Sequence, residues 1–289
     1  MSQAHARRAR GAALILVLWM IALLSALVGA FAMTARTEYL QGRTLRSGVV
    51  AGQAARAGLE YAATRISFPD PRVQWLPDGR PYRWRFAGAE IEVRVVDESG
   101  KLDLNAAEAG SLSALMQALG APPEQADAVA AAIVDWRDPD DLTQPHQGGA
   151  EDPQYAAAGL AWGAKDAPFE TVAEVEQVLG MTPELYALLA PHLTIYSGLP
   201  VADARFATGP VLASMGVDAE RVLAGRELPP QPGDSPFVGA GSGTYSIDSH
   251  ARLRDGRESI LRAVIRLGPS GVPGSAFTVM RWEEGASPR

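Results

Sequence analysis

The feature that most constrains this chain is an uninterrupted apolar stretch near its N-terminus, from Ala12 to Met33. The stretch contains no charged residue over 22 positions. A helix rises 1.5 Å per residue, so the stretch would reach roughly 33 Å, about the thickness of the hydrocarbon core of a bilayer. Four basic residues precede it: His5, Arg7, Arg8 and Arg10. The positive-inside rule therefore predicts one membrane span, with the N-terminus in the cytoplasm and the rest of the chain beyond the membrane.

Two kinds of N-terminal segment fit this stretch. A secretory signal peptide or a plain anchor fits, because Ala30-Phe31-Ala32 would serve as a cleavage site after the apolar core. Gly11, however, lies before the apolar core, directly after the basic residues. A cut between Gly11 and Ala12 would leave the apolar helix on the mature protein, and this arrangement resembles a type IV prepilin leader. The stretch alone leaves both interpretations open.

Charge is distributed unevenly over the 289 residues, whose formal net charge is −7 at pH 7. Between Leu102 and Leu199 there are fifteen acidic residues and only two basic ones, Arg137 and Lys165. The sequence thus sets an acidic domain into a mildly basic protein. There are no cysteines, so disulfides and thiolate metal sites are excluded.

The order of secondary-structure signals predicts an α+β fold. A helical pattern without proline runs from about Ala13 to Ile66, and Phe68-Pro69-Asp70-Pro71 ends it. Period-2 alternation predicts antiparallel strands, at residues 82–86, 91–95, 245–253, 259–267 and 277–282. Residues 104–192 have helical patterns, 193–196 are expected to form a strand returning to the sheet, 211–224 a short helical pair, and 228–243 a loop.

The helical region contains an internal echo. Leu119-Gly120-Ala121-Pro122-Pro123-Glu124 matches Leu179-Gly180-Met181-Thr182-Pro183-Glu184, and residues 215–220 are a weaker third copy. Each copy is typical of a helix that ends at a glycine and is followed by a new helix begun by Pro or Asp. We therefore expect an all-α insertion of helix-hairpin-helix or SAM-like layout between two strands of the sheet.

An acidic cluster follows the second helix of this insertion. Six carboxylates would repel one another at pH 7 unless a positive charge lies among them: Asp135, Asp138, Asp140, Asp141, Glu151 and Asp152. Ca²⁺, which takes six to eight oxygen ligands in flexible geometry, would supply that charge. The spacing is not that of an EF-hand, and a solvated acidic loop in which Asp138 and Asp141 act as caps is the alternative.

Several motifs, in this order, resemble the K-type minor pseudopilins of the type II (general) secretion pathway. They are the Arg-Arg-Ala-Arg-Gly leader before an apolar helix, the runs at residues 96–107 (VDESGKLDLNAA) and 133–141 (IVDWRDPDD), Gly149-Ala150-Glu151-Asp152, Tyr155, Pro168-Phe169 and residues 179–184. The resemblance covers nearly the whole chain. It implies a non-enzymatic subunit at the tip of the periplasmic pseudopilus, and it adds weight to Ca²⁺ binding in the insertion.

The resemblance also implies a domain layout and a set of partners. The partners are the I- and J-type minor pseudopilins, the prepilin peptidase that cuts between Gly11 and Ala12, the inner membrane, and in addition the secretin or secreted cargo. The expected fold is a pseudopilin fold, with a long N-terminal hydrophobic helix packed on an antiparallel sheet. The expected segments are a leader (1–11), the helix (12–66, with 12–33 in the membrane), the first part of the head (67–101), the acidic insertion (102–192) and the rest of the head (193–289).

One residue departs from the usual pilin pattern. Leu16 is the fifth residue of the implied mature chain, where most pilins carry Glu to neutralise the α-amine of the subunit ahead. A carboxylate in hydrocarbon is costly unless it is paired. A subunit with nothing ahead of it has no partner for that Glu, so Leu16 fits a tip position; it equally fits an ordinary anchor.

Three other function classes differ in how well they fit the sequence. A helix-hairpin-helix module of the DNA-uptake kind would bind phosphates through basic residues, of which this insertion has two against fifteen acids. An enzyme is disfavoured because the four histidines are scattered and no His-Glu-x-x-His or Gly-x-Ser-x-Gly motif occurs. A single-span anchored periplasmic adaptor outside secretion stays open as the alternative.

Overall fold

The structure, a computed structural model, describes residues 3–68, 70, 72–144, 148–227, 242–268 and 276–285, with side chains from residue 13 onward. Several predicted features therefore lie outside the described residues: the side chains of the leader, Pro69 and Pro71, His146, most of the 228–243 loop and the last four residues. Seven helices and seven strands are present in the described ranges.

The first helix, α1, runs without a break from Gln3 to Ile66. It contains no proline, so no backbone amide is missing from its hydrogen-bond ladder. Its apolar section is exposed along its whole length; Leu16 and Trp19, for example, are 70% and 68% exposed. Within the described residues, α1 is the one helix long and apolar enough to cross a membrane, and none of its most apolar window is buried. The predicted helix is confirmed, and it begins nearer the N-terminus than the pattern indicated.

Five antiparallel strands form one sheet. They are β1 (Asp78–Phe86), β2 (Ala89–Asp97), β5 (Thr244–Arg252), β6 (Glu258–Leu267) and β7 (Phe277–Glu284), and they lie in this order across the sheet. Ala87 and Gly88, both at positive φ, form the tight turn between β1 and β2. Gly256, with φ of 82°, makes the corresponding turn between β5 and β6. All five predicted strands are confirmed.

The C-terminal part of α1 packs on one face of this sheet. Burial begins at Ala51, and fully buried Leu59 lies in the same apolar cluster as Ile91, Ile247 and Ile265. The alternation seen in the sequence therefore has a direct cause, because every second residue of the central strands faces the helix. At the edge of this core, Tyr61 of α1 stacks on Trp84 of β1 with ring centroids 4.3 Å apart.

The other face of the sheet carries charges matched in register. Arg94, Asp248, Arg262 and Glu283 lie side by side on four adjacent strands, so opposite charges alternate across the sheet. A second row, Arg85, Glu90, Arg252 and Glu258, repeats the pattern. Cross-strand pairs of opposite charge stabilise a sheet modestly.

Between β2 and β5 the chain forms a helical insertion with a core of its own. Its helices are α2 (Ala109–Ala118), α3 (Pro123–Arg137), α4 (Asp152–Ala157), α5 (Pro183–Leu189), α6 (Gly209–Ser214) and α7 (Ala219–Glu227). Gly120, Gly180 and Gly216 all have left-handed backbone at helix ends, with φ of 97°, 83° and 71°. The predicted echo of glycine-ended units is confirmed. Within the region of predicted helical patterns, Val172–Gln177 form a short 3-10 helix and not an α-helix.

Two predictions about residues 193–227 differ from the structure. The expected strand at Leu193–Tyr196 does not return to the main sheet: β4 (Leu193–Thr194) pairs in parallel with β3 (Leu102–Asp103) as a separate two-stranded ribbon. Residues 202–212 share the apolar cluster of the helices, so the helical region continues past His192, where the predicted boundary lay. The pattern located the helices after 192 but carried no information about which core they pack on.

Close packing of α1 on the sheet depends on Gly58. A Cβ at this position would overlap the Ser249 hydroxyl and lie 2.8 Å from Ile91 Cγ2. We expect Gly58→Ala to lower the free energy of unfolding by about 1–3 kcal/mol, as overpacked cores do. Gly42→Ala is the matched control, because a Cβ there meets nothing within 4 Å and Ala favours a helix. Thermal unfolding of the full chain in detergent measures both, and equal effects would contradict the close approach.

Candidate functional site

The acidic residues predicted to bind a cation lie where α3 ends and α4 begins. Asp135 is in the last turn of α3 and Asp138 follows its end, while Glu151 and Asp152 start α4. The structure buries Asp135 and Glu151, which are 0% and 3% exposed, and half-buries Asp138. Asp140, Asp141 and Asp152 are exposed. The six predicted residues thus divide into three inner and three outer carboxylates.

Each inner carboxylate has one buried oxygen without a hydrogen-bond partner. These atoms are Asp135 Oδ2, Asp138 Oδ1 and Glu151 Oε1. The remaining oxygens of the two aspartates are held by one residue: Gln144 donates its backbone N–H to Asp135 Oδ1 at 3.1 Å and its side-chain amide to Asp138 Oδ2 at 3.2 Å. Buried charged oxygens without partners are expensive, and a bound cation is the usual compensation.

The electrostatics of these groups agree with that geometry. Burial, together with the negative charges of Asp135 and Asp138, raises the pKa of the Glu151 carboxyl to about 7. Burial also raises the pKa of Asp135 and that of Asp138 above their ordinary values. All three shifts have the same direction and the same main cause, because burial penalises the charged form and each carboxyl therefore favours a proton or a cation.

The backbone around the inner carboxylates is closely fitted. A Cβ on Gly149 would lie 2.9 Å from Asp135 Cγ, and one on Gly163 would lie 2.6 Å from Asp152 Cγ. Two glycines therefore let the loops on either side of α4 approach the acidic side chains. In the ranges that the structure describes, no group of three or more His, Cys, Asp or Glu side chains is already positioned to hold a metal ion. A cation at this place would have to draw the unpaired oxygens together.

Sequence reasoning missed two contributors. Asp166 adds negative charge to the surroundings of Glu151, and its backbone is left-handed, with φ of 53°. Asp tolerates that conformation better than most residues do, but an isolated Asp in a loop gave no signal in the sequence. Gln144 was also missed, because a neutral amide close to an acidic run does not stand out.

A second polar centre joins the sheet to the insertion. Immediately after β2, Glu98 is 1% exposed, and its carboxylate accepts hydrogen bonds from the hydroxyls of Thr194 and Ser246. Lys101 Nζ lies 2.6 Å from Glu98 Oε1 and is itself nearly buried. The three partners come from the ribbon strand β4, from β5 and from the turn after Gly100. Glu98 therefore ties three separate segments together.

Its neighbours in the chain make the same junction rigid. Asp97 Oδ1 accepts hydrogen bonds from the Ser99 backbone N–H at 2.8 Å and from the Ser242 hydroxyl at 2.9 Å. Gly100 lies against the backbone of the insertion, since a Cβ there would be 2.5 Å from the Phe206 carbonyl carbon. Side chains larger than hydrogen are thereby excluded at residue 100.

The following residues hold the insertion's loops. Asp103 Oδ2 accepts a hydrogen bond from the Gly198 backbone N–H at 2.7 Å. Asn105 pairs with the backbone of Phe169 in both directions, accepting from its N–H at 2.7 Å and donating to its carbonyl at 3.0 Å. Arg137 donates to the carbonyls of Leu104 and Ala107. The motif at residues 96–107 is thus a scaffold, with no arrangement typical of catalysis.

The two histidines whose side chains the structure describes have different partners. His192 Nδ1 lies 2.8 Å from the Thr208 hydroxyl, and burial lowers its pKa. His250 lies on the charged face of the sheet, 3.2 Å from Glu258. The side chains of His5 and His146 lie outside the described residues.

Comparison with known proteins finds a similarity that covers the acidic cluster and part of the junction. A family model described as type II secretion system protein K matches residues 92–198, which include Asp97, Glu98, Lys101 and the whole acidic cluster. Two curated relatives carry the name type II secretion system protein K: one from Klebsiella pneumoniae, 28% identical over 207 residues, and one from Pectobacterium carotovorum, 27% identical over 209 residues. Over this range the chain is similar to type II secretion system protein K.

These matches cover only part of this chain and part of each relative. The two protein K relatives are each matched over 64% of this chain and 62% of their own length. A third, from Pseudomonas aeruginosa, is 29% identical over 137 residues, 44% of this chain and 40% of its own. The matched segment of the family model ends at 198, so α6 and α7 fall beyond it.

A solved structure supports the fold over a longer range. The crystal structure of the GspK-GspI-GspJ complex from the type 2 secretion system of enterotoxigenic Escherichia coli contains a chain with TM-score 0.61 and 17% identity. The match covers 86% of this chain and all of that chain. The expected fold class, a long N-terminal apolar helix with an antiparallel sheet and added helices, is confirmed.

The Glu98 junction yields a prediction for stability. In Glu98→Gln the Lys101 ammonium, only 14% exposed, loses its counter-ion, so we expect a loss of about 3–5 kcal/mol of unfolding free energy. The exposed pair offers the control: Glu92→Gln, which faces Arg83 and Arg94 at the surface, should cost less than about 1 kcal/mol. Chemical unfolding of the full chain in detergent measures both.

A double variant distinguishes the effect of the unpaired Lys101 ammonium from the effect of losing the hydroxyl contacts. If the loss comes from the unpaired ammonium, adding Lys101→Met to Glu98→Gln should restore a large part of the stability. A double variant as unstable as Glu98→Gln alone would assign the effect to the hydroxyl contacts instead.

Proposed function

We propose that this chain is a minor pseudopilin at the tip of the type II secretion pseudopilus, where it initiates or caps assembly for the export of folded proteins. The observation that carries the proposal is that the two parts of α1 differ in burial. Its N-terminal part is apolar and exposed on every side, and its C-terminal part, from Ala51, is the packed wall of a globular core. Such a helix can leave a membrane and enter a helical bundle without unfolding the head.

The proposed partners are the I- and J-type minor pseudopilins. Support comes from the shared fold with a chain of the GspK-GspI-GspJ complex. The proposed topology has a single pass through the inner membrane, a cytoplasmic N-terminus and a periplasmic head. The prepilin peptidase would process the leader between Gly11 and Ala12, and the new N-terminus would be methylated. The head could also contact the secretin or cargo. No enzymatic activity is part of the proposal.

Leu16 supports the tip position. Its side chain is 70% exposed in the apolar section of α1, so it would face lipid or neighbouring helices. A glutamate there would need a positive partner in a medium without water. A subunit at the tip has no α-amine ahead of it to offer, and leucine removes the need.

The alternative is a single-span anchored periplasmic adaptor outside secretion, and N-terminal processing distinguishes the two. We expect the mature protein from membranes to begin at methylated Ala12 when prepilin peptidase is present, and to keep the residues before Ala12 when the peptidase is deleted. Intact mass and N-terminal sequencing measure this. Gly11→Val should block processing, whereas Ala32→Leu, which would block a conventional signal-peptide cut, should leave it unchanged.

The contrary outcome is equally clear. A mature chain that begins at Met33 would contradict the pseudopilin proposal. So would processing that is lost in Ala32→Leu and kept in Gly11→Val. In that case, head variants that are processed normally but no longer support secretion would not restore the pseudopilin proposal.

We also propose that the inner carboxylates bind Ca²⁺ as a structural ion. Asp135, Asp138 and Glu151 would supply ligands through the oxygens that lack partners, with outer carboxylates or backbone carbonyls completing the shell; the outer candidates are Asp140, Asp141 and Asp152. The residues fit a hard cation, because every donor is oxygen and Ca²⁺ tolerates flexible geometry. When bound, the ion would neutralise the cluster. In a chain without cysteines, it would also fasten the loop between α3 and α4.

The effect of pH tests this proposal. The pKa of Glu151 is raised to about 7 from 4.5, so without metal the folded state favours the protonated form. That contribution to stability is full below the ordinary pKa and is lost as pH rises through about 7. In chelator we therefore expect lower stability at pH 8 than at pH 6. Saturating Ca²⁺ should raise the melting temperature by about 5 °C or more at pH 8, and less at pH 6.

Two variants sharpen the measurement. Glu151→Gln should remove most of the response to Ca²⁺ and flatten the pH dependence, while remaining folded, because a neutral amide avoids the cost of a buried charge. Glu176→Gln, an exposed acid of the same insertion, is the matched control and should behave as the natural chain. Equal melting temperatures of the natural chain in Ca²⁺ and in chelator at pH 8 would exclude a structural ion.

A further inference from the structure

One section of α1 is mostly exposed, touches the head near its end, where Ser47 donates a hydrogen bond to Asp255 at 2.8 Å, and carries an ordered set of side chains. Residues 34–50 lie between the membrane-spanning section and the section packed on the sheet. Here Arg36, Tyr39, Arg43, Arg46 and Val50 recur at alternating spacings of three and four, so they lie on one face of the helix. All five are exposed. The result is a basic face of three arginines with one tyrosine among them.

The charges on this basic face have little use within the molecule. Across the described ranges, Arg36, Arg43 and Arg46 make no hydrogen bond and no ion pair, and Arg43 attracts the carboxylate of Asp255 electrostatically. The acidic residue closest in sequence, Glu38, is two positions after Arg36 and therefore lies toward the other side of the helix. Three positive charges thus point outward together.

The positions of the basic-face side chains along the helix axis favour contact with the lipid surface. Arg36 lies three residues beyond Met33 and Tyr39 six, roughly 4.5 and 9 Å along the helix axis. Each leaflet has a polar layer of about 5–8 Å beyond the hydrocarbon core. Side chains on a helix tilt toward its N-terminus, which here is the membrane side. Arg36 therefore reaches back toward the phosphates, and tyrosine is a typical interfacial residue. Arg43 and Arg46 lie roughly 15 and 20 Å along the axis, so they meet the phosphates when the helix leans toward this face.

We propose that this basic face binds the anionic headgroups of phospholipids in the leaflet from which α1 emerges, so that the anchored subunit leans on this face. The proposal depends on the membrane span proposed above and not on the role in secretion. Charge complementarity selects the occupant, since each arginine near an anionic surface should shift the balance toward contact by about fivefold. The contact would have to break when the subunit leaves the bilayer.

The test uses the absence of cysteine from the natural chain. A single cysteine carrying a fluorophore is placed at Leu40, one turn from Arg36 on the basic side, or at Gln41, which lies toward the opposite side. The full chain is reconstituted in bilayers that contain a headgroup-attached quencher, either in zwitterionic lipid alone or with about a third of an anionic lipid. We expect at least about twofold stronger quenching at Leu40 with anionic lipid, and little change at Gln41.

Charge-matched variants decide the cause. Arg36→Gln, Arg43→Gln and Arg46→Gln together should abolish the response at Leu40, and high salt should weaken it. The control removes three exposed arginines from the head, as Arg83→Gln, Arg85→Gln and Arg221→Gln, and should leave the response intact.

Three outcomes would overturn the proposal. One is equal quenching in both lipid mixtures. Another is a Leu40 label that ignores anionic lipid but becomes shielded when I- and J-type subunits are added, which would assign the basic face to a protein partner. The third is failure of the chain to float with the bilayers, which would overturn the membrane span as well; the first two leave that span standing.

Discussion

The packing of the C-terminal part of α1 against the sheet is the contact on which the rest of the structure depends. It buries the apolar side chains of the central strands, which would otherwise face water, and contributes most of what holds the sheet as a folded unit. It also fixes the direction in which the apolar section leaves the head. Gly58 sets how close the two layers come, because any larger side chain meets Ser249 and Ile91. The apolar section and the folded head are thereby connected by one continuous helix.

The chain deals with buried carboxylates in two ways. Glu98 is fully paired, by an ammonium and two hydroxyls, and it stabilises the joint between the sheet and the helices. Asp135, Asp138 and Glu151 are left with oxygens that nothing in the described protein satisfies. The first arrangement is complete without a ligand, and the second is not. The acidic cluster differs from the junction because three of its carboxylates each have such an oxygen, whereas in the junction Asp97 Oδ2 stands alone beside a fully paired Glu98.

Periodicity was sufficient to predict α1, all five strands of the sheet and the glycine-ended helical units, because each depends on local pattern or local backbone conformation. It was not sufficient for Leu193–Thr194, which has strand character but pairs with Leu102–Asp103 some ninety residues earlier. The predicted acidic residues lie where α3 ends and α4 begins, and their division into buried and exposed members follows from how these two helices meet. Asp166 and Gln144 could not be found, since their part in the site arises only from folding.

The position of the insertion within the sheet has a consequence for modularity. The insertion leaves at the end of β2 and returns at the start of β5, and these strands are direct antiparallel neighbours, with Asp97 opposite Tyr245. Neighbouring antiparallel strands need only a two-residue connection. The five-stranded meander is therefore topologically complete without the helices, which have a separate core. A large module can thus be gained, lost or exchanged at this hairpin without altering the order of the strands.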